Sequence, residues 1–167
     1  ESREFVLWVG RLDSNQKKPE RFLDLAEELP GIQFVMIGPP NEGEAAFYEE
    51  VKTRAEGIAN LQFEGFVPPD RIDEYFQKAI ALVNTSDREG FGNVFLEAWR
   101  YETPVISAFY NLDGVISAEP VGIHTGGVAG LPEAVTRLVS DIELRRQYGK
   151  NGRNLVKNRY SIDTVVD

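Results

Sequence analysis

The chain has 167 residues, 42% of them hydrophobic and 27% charged, which suits one domain large enough to bury its own core. It has no cysteine, which excludes disulfides, thiol catalysis and thiolate metal sites and fits a reducing compartment. Its net charge of −9 repels nucleic acid and anionic lipid in bulk, so an anionic ligand must be held by local donors.

In chain order, Phe5 to Val9 is a short apolar β-rich run closed by Gly10, and predicts a buried strand. Pro19 to Leu29 spaces Phe22, Leu23, Leu25, Ala26 and Leu29 as a helix, stopped by Pro30-Gly31. Ile32 to Ile37 predicts a second strand, closed by Gly38-Pro39-Pro40. Glu44 to Glu56 predicts a surface helix with Phe47, Tyr48, Val51 and Ala55 on its inner side. Leu61 to Phe66 reads as a third strand, and Pro68-Pro69-Asp70 opens a helix to about Ala79. A fourth strand at Ile80 to Val83, a helix at Phe91 to Tyr101 and a fifth strand at Pro104 to Ala108 follow, with Val121-Gly122-Ile123 a candidate sixth. Helices at Leu131 to Val139 and Asp141 to Lys157 end the series, the last opened by a capping box, Ser140-x-x-Glu143. Phe109 to Val128 is the least regular stretch and is assigned to the ligand mouth or to a contact with another domain.

Strands and helices that alternate in this way predict an α/β fold: a Rossmann-like, doubly wound parallel sheet in one domain over residues 1–167. No apolar run approaches the ~20 residues that span a bilayer, and no secretory signal opens the chain. Glu1 stands within four residues of the first strand, so the domain is expected to be part of something longer.

Ligands of such sheets bind beyond the carboxyl ends of the strands. The strongest feature there is Ser86-Asp87-Arg88-Glu89-Gly90-Phe91-Gly92-Asn93-Val94-Phe95-Leu96-Glu97-Ala98. It leaves the fourth strand, passes two glycines and enters a helix. The glycines alone fit a plain strand-to-helix turn as well as an anion site at a helix N-terminus. Glu89 and Glu97 shift the balance. A carboxylate beside a phosphate site suits sugar hydroxyls, and one deeper on the helix suits ribose hydroxyls.

Glu89 and Glu97, seven residues apart within EGFGNVFLEA and followed by the Pro104-Val105-Ile106 strand, resemble the E-x7-E motif of retaining glycosyltransferases of the GT-B fold. The group includes sucrose synthases, bacterial glycogen synthases and lipopolysaccharide mannosyl- and glucosyltransferases. The resemblance runs from Val9-Gly10-Arg11 to about Arg159 and implies the C-terminal, donor-binding half of a two-domain enzyme. It implies transfer of a hexose from a nucleoside-diphosphate sugar (UDP- or GDP-linked) to a hydroxyl acceptor with retention and no cofactor, and the lack of an Asp-x-Asp sequence, a His cluster and cysteine speaks against a metal site.

By that resemblance Arg11 of Val9-Gly10-Arg11-Leu12 and Lys17 of Lys17-Lys18-Pro19-Glu20 contact the donor diphosphate, with Lys18 the alternative register. Glu89 serves as the catalytic carboxylate that positions sugar hydroxyls, and Glu97 binds ribose. Gly10, Gly90, Phe91, Gly92 and Asn93 bring backbone N–H groups and a helix start to the phosphates. Phe66 and Val67 flank the base, where core packing is an equal reading. Departures are the bulky Trp99-Arg100-Tyr101 after Glu97-Ala98, and Asn111-Leu112-Asp113-Gly114-Val115 where the family has Gly-Gly-x-x-Glu. His124, the single histidine, is not expected to act in catalysis.

The acceptor is expected to bind an N-terminal domain outside this chain, so the isolated domain should be inactive. Nucleic acid is excluded as a partner. The protein is expected in the cytoplasm, with a peripheral membrane acceptor reached through that other domain at the inner membrane surface. The competing reading is a non-catalytic or epimerase-like nucleotide-sugar-binding module of the same fold. A receiver-type domain lacks its paired acids here, and a dinucleotide oxidoreductase lacks G-x-G-x-x-G after the first strand.

Overall fold

The computed structural model describes residues 2–89, 92–112 and 114–160. Six parallel strands form one sheet: β1 Phe5–Val9, β2 Phe34–Ile37, β3 Leu61–Gly65, β4 Ala79–Asn84, β5 Val105–Ser107 and β6 Gly122–His124. Their order is β3-β2-β1-β4-β5-β6, so the direction of winding reverses between β1 and β4. That is the switch point at which doubly wound sheets open a crevice.

The helices are α1 Glu20–Glu28, α2 Ala45–Glu56, α3 Pro69–Lys78, α4 Asn93–Arg100, the single turn α5 Val115–Ala118, α6 Leu131–Ser140 and α7 Ile142–Arg159. Side chains alternate across each strand, which sorts the core into two layers. Val6 and Trp8 of β1 join Phe34, Met36, Ala81 and Val83 beneath α1, α2 and α6. Leu7 joins Val35, Ile37 and Leu82 on the opposite face, beneath α3, α4 and α7. The two-period strands and the wide apolar stripes of the helices thus make one doubly covered sheet, as the alternation predicts.

The differences from the expected elements have local causes. Helix α3 stops at Lys78 because Ala79 is already extended, at φ −76° and ψ 137°, which gives β4 one residue more at its start. Strand β3 ends at Gly65, in the left-handed region at φ 66°, and Phe66 turns out to solvent with 63% exposure. The irregular stretch holds one helical turn, α5, and strand β6. The expected capping box is not made. Ser140 is the last residue of α6, and the side chain of Asp141 caps α7 by accepting from the backbone N–H of Leu144 at 3.0 Å.

One glycine fixes how the strands meet at the crevice. A Cβ on Gly38 would lie 1.6 Å from the carbonyl oxygen of Gly10, so only glycine lets the ends of β1 and β2 close up there. Helix α7 is seated in the same manner, since a Cβ on Gly149 would lie 2.1 Å from the carbonyl oxygen of Glu102.

Candidate functional site

Two short loops meet at the switch point. One leaves β1 through Gly10 and Arg11 and reaches α1; the other leaves β4 at Thr85 and reaches α4. The first is shaped by Asp13, whose Oδ1 accepts from the N–H groups of Asn15 and Gln16 at 2.6 and 2.7 Å.

The loops are then tied together. The buried hydroxyl of Thr85 accepts from Nε1 of Trp8 at 2.9 Å and faces the carbonyls of Lys17 and Lys18 at 2.9 and 3.0 Å. The N–H of Asp87 donates to the carbonyl of Gln16, and Nε2 of Gln16 donates to the carbonyl of Arg88. Arg21 on α1 donates to the Thr85 carbonyl at 2.8 Å and to Asp87 Oδ1 at 2.7 Å, and its guanidinium lies 5.1 Å from the centre of the Phe109 ring. The buried hydroxyl of Thr85 needs such partners, and it finds them on β1 and on the β1–α1 loop.

This frame aims Lys17 at Glu89. The ammonium donates to both carboxylate oxygens, at 2.7 and 2.8 Å. Ser86 Oγ donates to Oε2 of Glu89 at 2.5 Å and Asn84 Nδ2 at 3.1 Å. Burial pushes the Glu89 carboxyl up, but the hydrogen bonds from Lys17, Ser86 and Asn84 and the Lys17 charge outweigh it and hold Glu89 below the usual carboxylate range. Glu97 is set the other way. Burial raises it, Asp73 adds to the rise, and Arg100 only partly opposes it.

The cleft beyond these loops encloses about 450 Å³ and is lined by Gly10, Lys17, Val67, Glu89, Asn93 and Glu97, with Gly92 among them. It continues into a second lobe of about 340 Å³ bordered by Gly10, Arg11, Lys17, Gly38, Phe66 and Val67. Gly92, which has no side chain to cap the first turn, starts α4 at φ 81°, a conformation suited to glycine. A helix start of this kind carries partial positive charge toward the cleft. The arrangement can therefore hold an anion between Lys17 and the start of α4, and hydroxyl donors at Glu97 and, once Lys17 is drawn off, at Glu89.

Nine of the eleven residues singled out from the sequence thus border one continuous cleft; Gly90 and Phe91 lie outside the described residues. His124 points elsewhere, its Nε2 lying 2.8 Å from the carbonyl oxygen of Phe109. Sequence reasoning gave no role to Trp8, Asn84, Thr85 and Ser86, which build the seat of Lys17 and Glu89. Their signal was there: three polar residues in a row, Asn84-Thr85-Ser86, at the end of an apolar strand. Among the described residues, no group of three His, Cys, Asp or Glu side chains is placed to hold a metal ion.

The fold and the cleft define a Rossmann-like α/β domain whose main crevice opens at the switch point between β1 and β4. The chain matches the glycosyl transferases group 1 family over residues 1–155, and it belongs to that family. It is 36% identical over 163 residues to alpha-galactosylglucosyldiacylglycerol synthase of Streptococcus pneumoniae, a match covering 96% of this chain and 43% of that protein.

Among solved structures it superposes on the C-terminal domain of the glycosyl transferase group 1 family protein LpcC from Francisella tularensis. That match has a TM-score of 0.79 at 22% identity and covers 96% of this chain and 88% of that one. It also superposes on Anabaena HepE in complex with UDP and glucose, with a TM-score of 0.83 at 20% identity, over 98% of this chain and 46% of that one. The fold is thus that of the Rossmann-like half of GT-B glycosyltransferases. The chain spans about half the length, or less, of the curated relatives it matches.

Proposed function

We propose that this chain is the donor-binding domain of a retaining glycosyltransferase that moves a hexose from a nucleoside-diphosphate sugar to a hydroxyl acceptor. The observation that carries the reading is the convergence of Lys17, Glu89, Glu97 and the glycine start of α4 on one cleft at the switch point. The complex of the structural relative HepE with UDP and glucose supports a ligand of this class.

In this reading Arg11, Lys17 and the N–H groups around Gly92 hold the diphosphate and stabilise the charge that develops as the bond to the sugar breaks. Glu97 accepts from the ribose hydroxyls. The base lies by Phe66 and Val67 in the second lobe. Lys17 exchanges its contact with Glu89 for the diphosphate, and this frees Glu89 to accept from sugar hydroxyls. Glu89 then positions and stabilises without forming a covalent bond. A second domain supplies the acceptor, so this chain alone binds donor but transfers little.

Calorimetry of the chain with uridine and guanosine diphosphates tests the proposal. Binding of one of them, weakened by Lys17→Ala, is the expected result. No binding of either nucleotide at millimolar concentration would overturn it.

A further inference from the structure

Helix α7 holds six of the chain's 18 Lys and Arg residues but, of its 27 acids, only Glu143. In a chain of net charge −9 this is a strong local reversal of sign. Four of the cations, Arg146, Lys150, Arg153 and Lys157, are exposed and fall at successive steps of four, three and four residues. At about 100° per residue they lie within an arc of about 60°, in a file about 16 Å long.

The buried side of the helix is elsewhere on its circumference, at Gly149, Gly152, Leu155 and Val156. Among the described residues no carboxylate lies within salt-bridge distance of Arg145, Arg146, Lys150, Arg153 or Lys157. Arg159, beyond the file, pairs with Glu119 at 3.0 Å.

The file begins at a cavity of about 260 Å³ lined by Arg3, Glu102, Arg145, Arg146 and Lys150. Arg3 and Arg145 are anchored there by donating to the carbonyls that end α3, α4 and α6. Burial lowers the proton affinity of Arg145, and the neighbouring Arg3 and Arg146 lower it further. Like charges held together in this way are relieved by an added anion. Among the described residues, Glu102 is the one carboxylate lining the cavity, and Glu143 is the one on α7 itself. Ile142, 48% exposed, stands one turn before Arg146 at the head of the file.

We propose that this file on α7 is a docking surface for an anionic phospholipid membrane, with the Arg145–Arg146–Lys150 cavity as the seat of one headgroup phosphate. A straight single row of cations matches a plane of charge, whereas a nucleic-acid duplex presents two strands and would leave one of them without cations. The exposed apolar side chain of Ile142 at one end suits an interface with acyl chains below it. The acids elsewhere on the chain repel such a surface only within a Debye length of about 8–10 Å, so a file that leads the approach is not cancelled by the net charge. The cavity lies beside Arg3, which precedes β1, at the opposite end of the strands from the cleft, so docking here leaves the cleft open.

Vesicle flotation tests the proposal on the 167-residue chain. Phosphatidylcholine vesicles are compared with vesicles carrying about a third phosphatidylglycerol, at low and high salt. Binding is expected to the anionic vesicles alone and to weaken with salt. Each cation near such a surface contributes about fivefold, so the triple variant Lys150→Gln, Arg153→Gln, Lys157→Gln should bind roughly a hundredfold more weakly. Lys78→Gln, a control on α3, should bind as the unaltered chain does, and circular dichroism verifies that the variants are folded.

Absence of binding to anionic vesicles, or equal binding by the triple variant, would overturn the proposal. Tighter binding of an oligonucleotide duplex than of vesicles, measured by fluorescence anisotropy, would replace the membrane by nucleic acid. Nucleoside diphosphate binding at the cleft is indifferent to all three substitutions, so this test and that of the proposed activity fail separately.

Discussion

Lys17 and Glu89 meet across 72 positions of sequence, with the ammonium 2.7 and 2.8 Å from the two carboxylate oxygens. The Glu89 side chain is 7% exposed and that of Lys17 24%, so the pair is largely withdrawn from water. Lys17→Met should destabilise the chain by about 1–3 kcal/mol, because it leaves a buried carboxylate with only Ser86 and Asn84 as donors. Adding Glu89→Gln should recover part of that loss. Chemical denaturation of the four members of the cycle measures the coupling, and strictly additive losses would show that the contact carries no energy. On the proposed function, Lys17→Ala or Arg11→Ala in the full-length protein should each lower glycosyl transfer about a hundredfold; a near-wild-type rate would remove that residue from the proposed diphosphate site.

Glu89 and Glu97 should respond to pH with opposite signs. Glu89 is held below its unfolded value, so its contribution to stability is complete above the unfolded pKa and is lost as pH falls through the folded one. Glu97 is raised, so its ionisation costs stability and that cost is relieved as pH falls through its folded value. In the proposed ribose role, Glu97 accepts from the hydroxyls in its ionised form. Affinity for a nucleoside diphosphate should therefore begin to fall at a pH above the ordinary carboxylate range. The nucleotide's own phosphate titration is shared by the unaltered chain and Glu97→Gln. The difference between their calorimetric pH curves thus isolates Glu97, and superimposable curves would deny it the ribose role.

Thr85 should matter through Lys17. Its hydroxyl links Trp8 to the carbonyls of Lys17 and Lys18. Thr85→Val keeps the shape and removes the hydroxyl, at an expected cost of about 1–3 kcal/mol and with weaker diphosphate binding. Thr85→Ser restores the hydroxyl and should restore binding. A valine variant that binds nucleotide normally would show that the loop is held without it.

Gly149→Ala tests the seat of α7. Alanine favours a helix interior over glycine by about 1 kcal/mol, yet here its Cβ would lie 2.1 Å from the carbonyl oxygen of Glu102. The clash should win and lower stability by about 1–3 kcal/mol. A thermal midpoint equal to or above that of the unaltered chain would show that α7 can shift outward at no cost.

The cap of α7 separates two neighbouring residues. Asp141→Ala should cost about 1 kcal/mol, because Asp141 accepts from the N–H of Leu144. Ser140→Ala, in the last turn of α6, should be nearly neutral. The reverse order in thermal denaturation would restore the serine as the cap.

The sequence by itself determined the order of strands and helices, the two-layered burial and the stretch at which the cleft opens. These follow from short-range rules: apolar runs of strand length, amphipathic helical spacing, and glycines where a strand gives way to a helix. It also marked Gly10, Glu89 and Glu97 on the segments that follow β1 and β4, and through the family resemblance Arg11 and Lys17. The tertiary structure alone decided what these residues do to one another. Lys17 reaches Glu89 because the sheet places β1 beside β4, a neighbour relation that no local pattern encodes. The same adjacency buries Asn84, Thr85 and Ser86, turning small polar residues into the seat of the ion pair. At the α6–α7 junction, where Ser140 and Asp141 both carry capping side chains, the end of α6 settles which one is left to cap, since Ser140 is spent in its last turn.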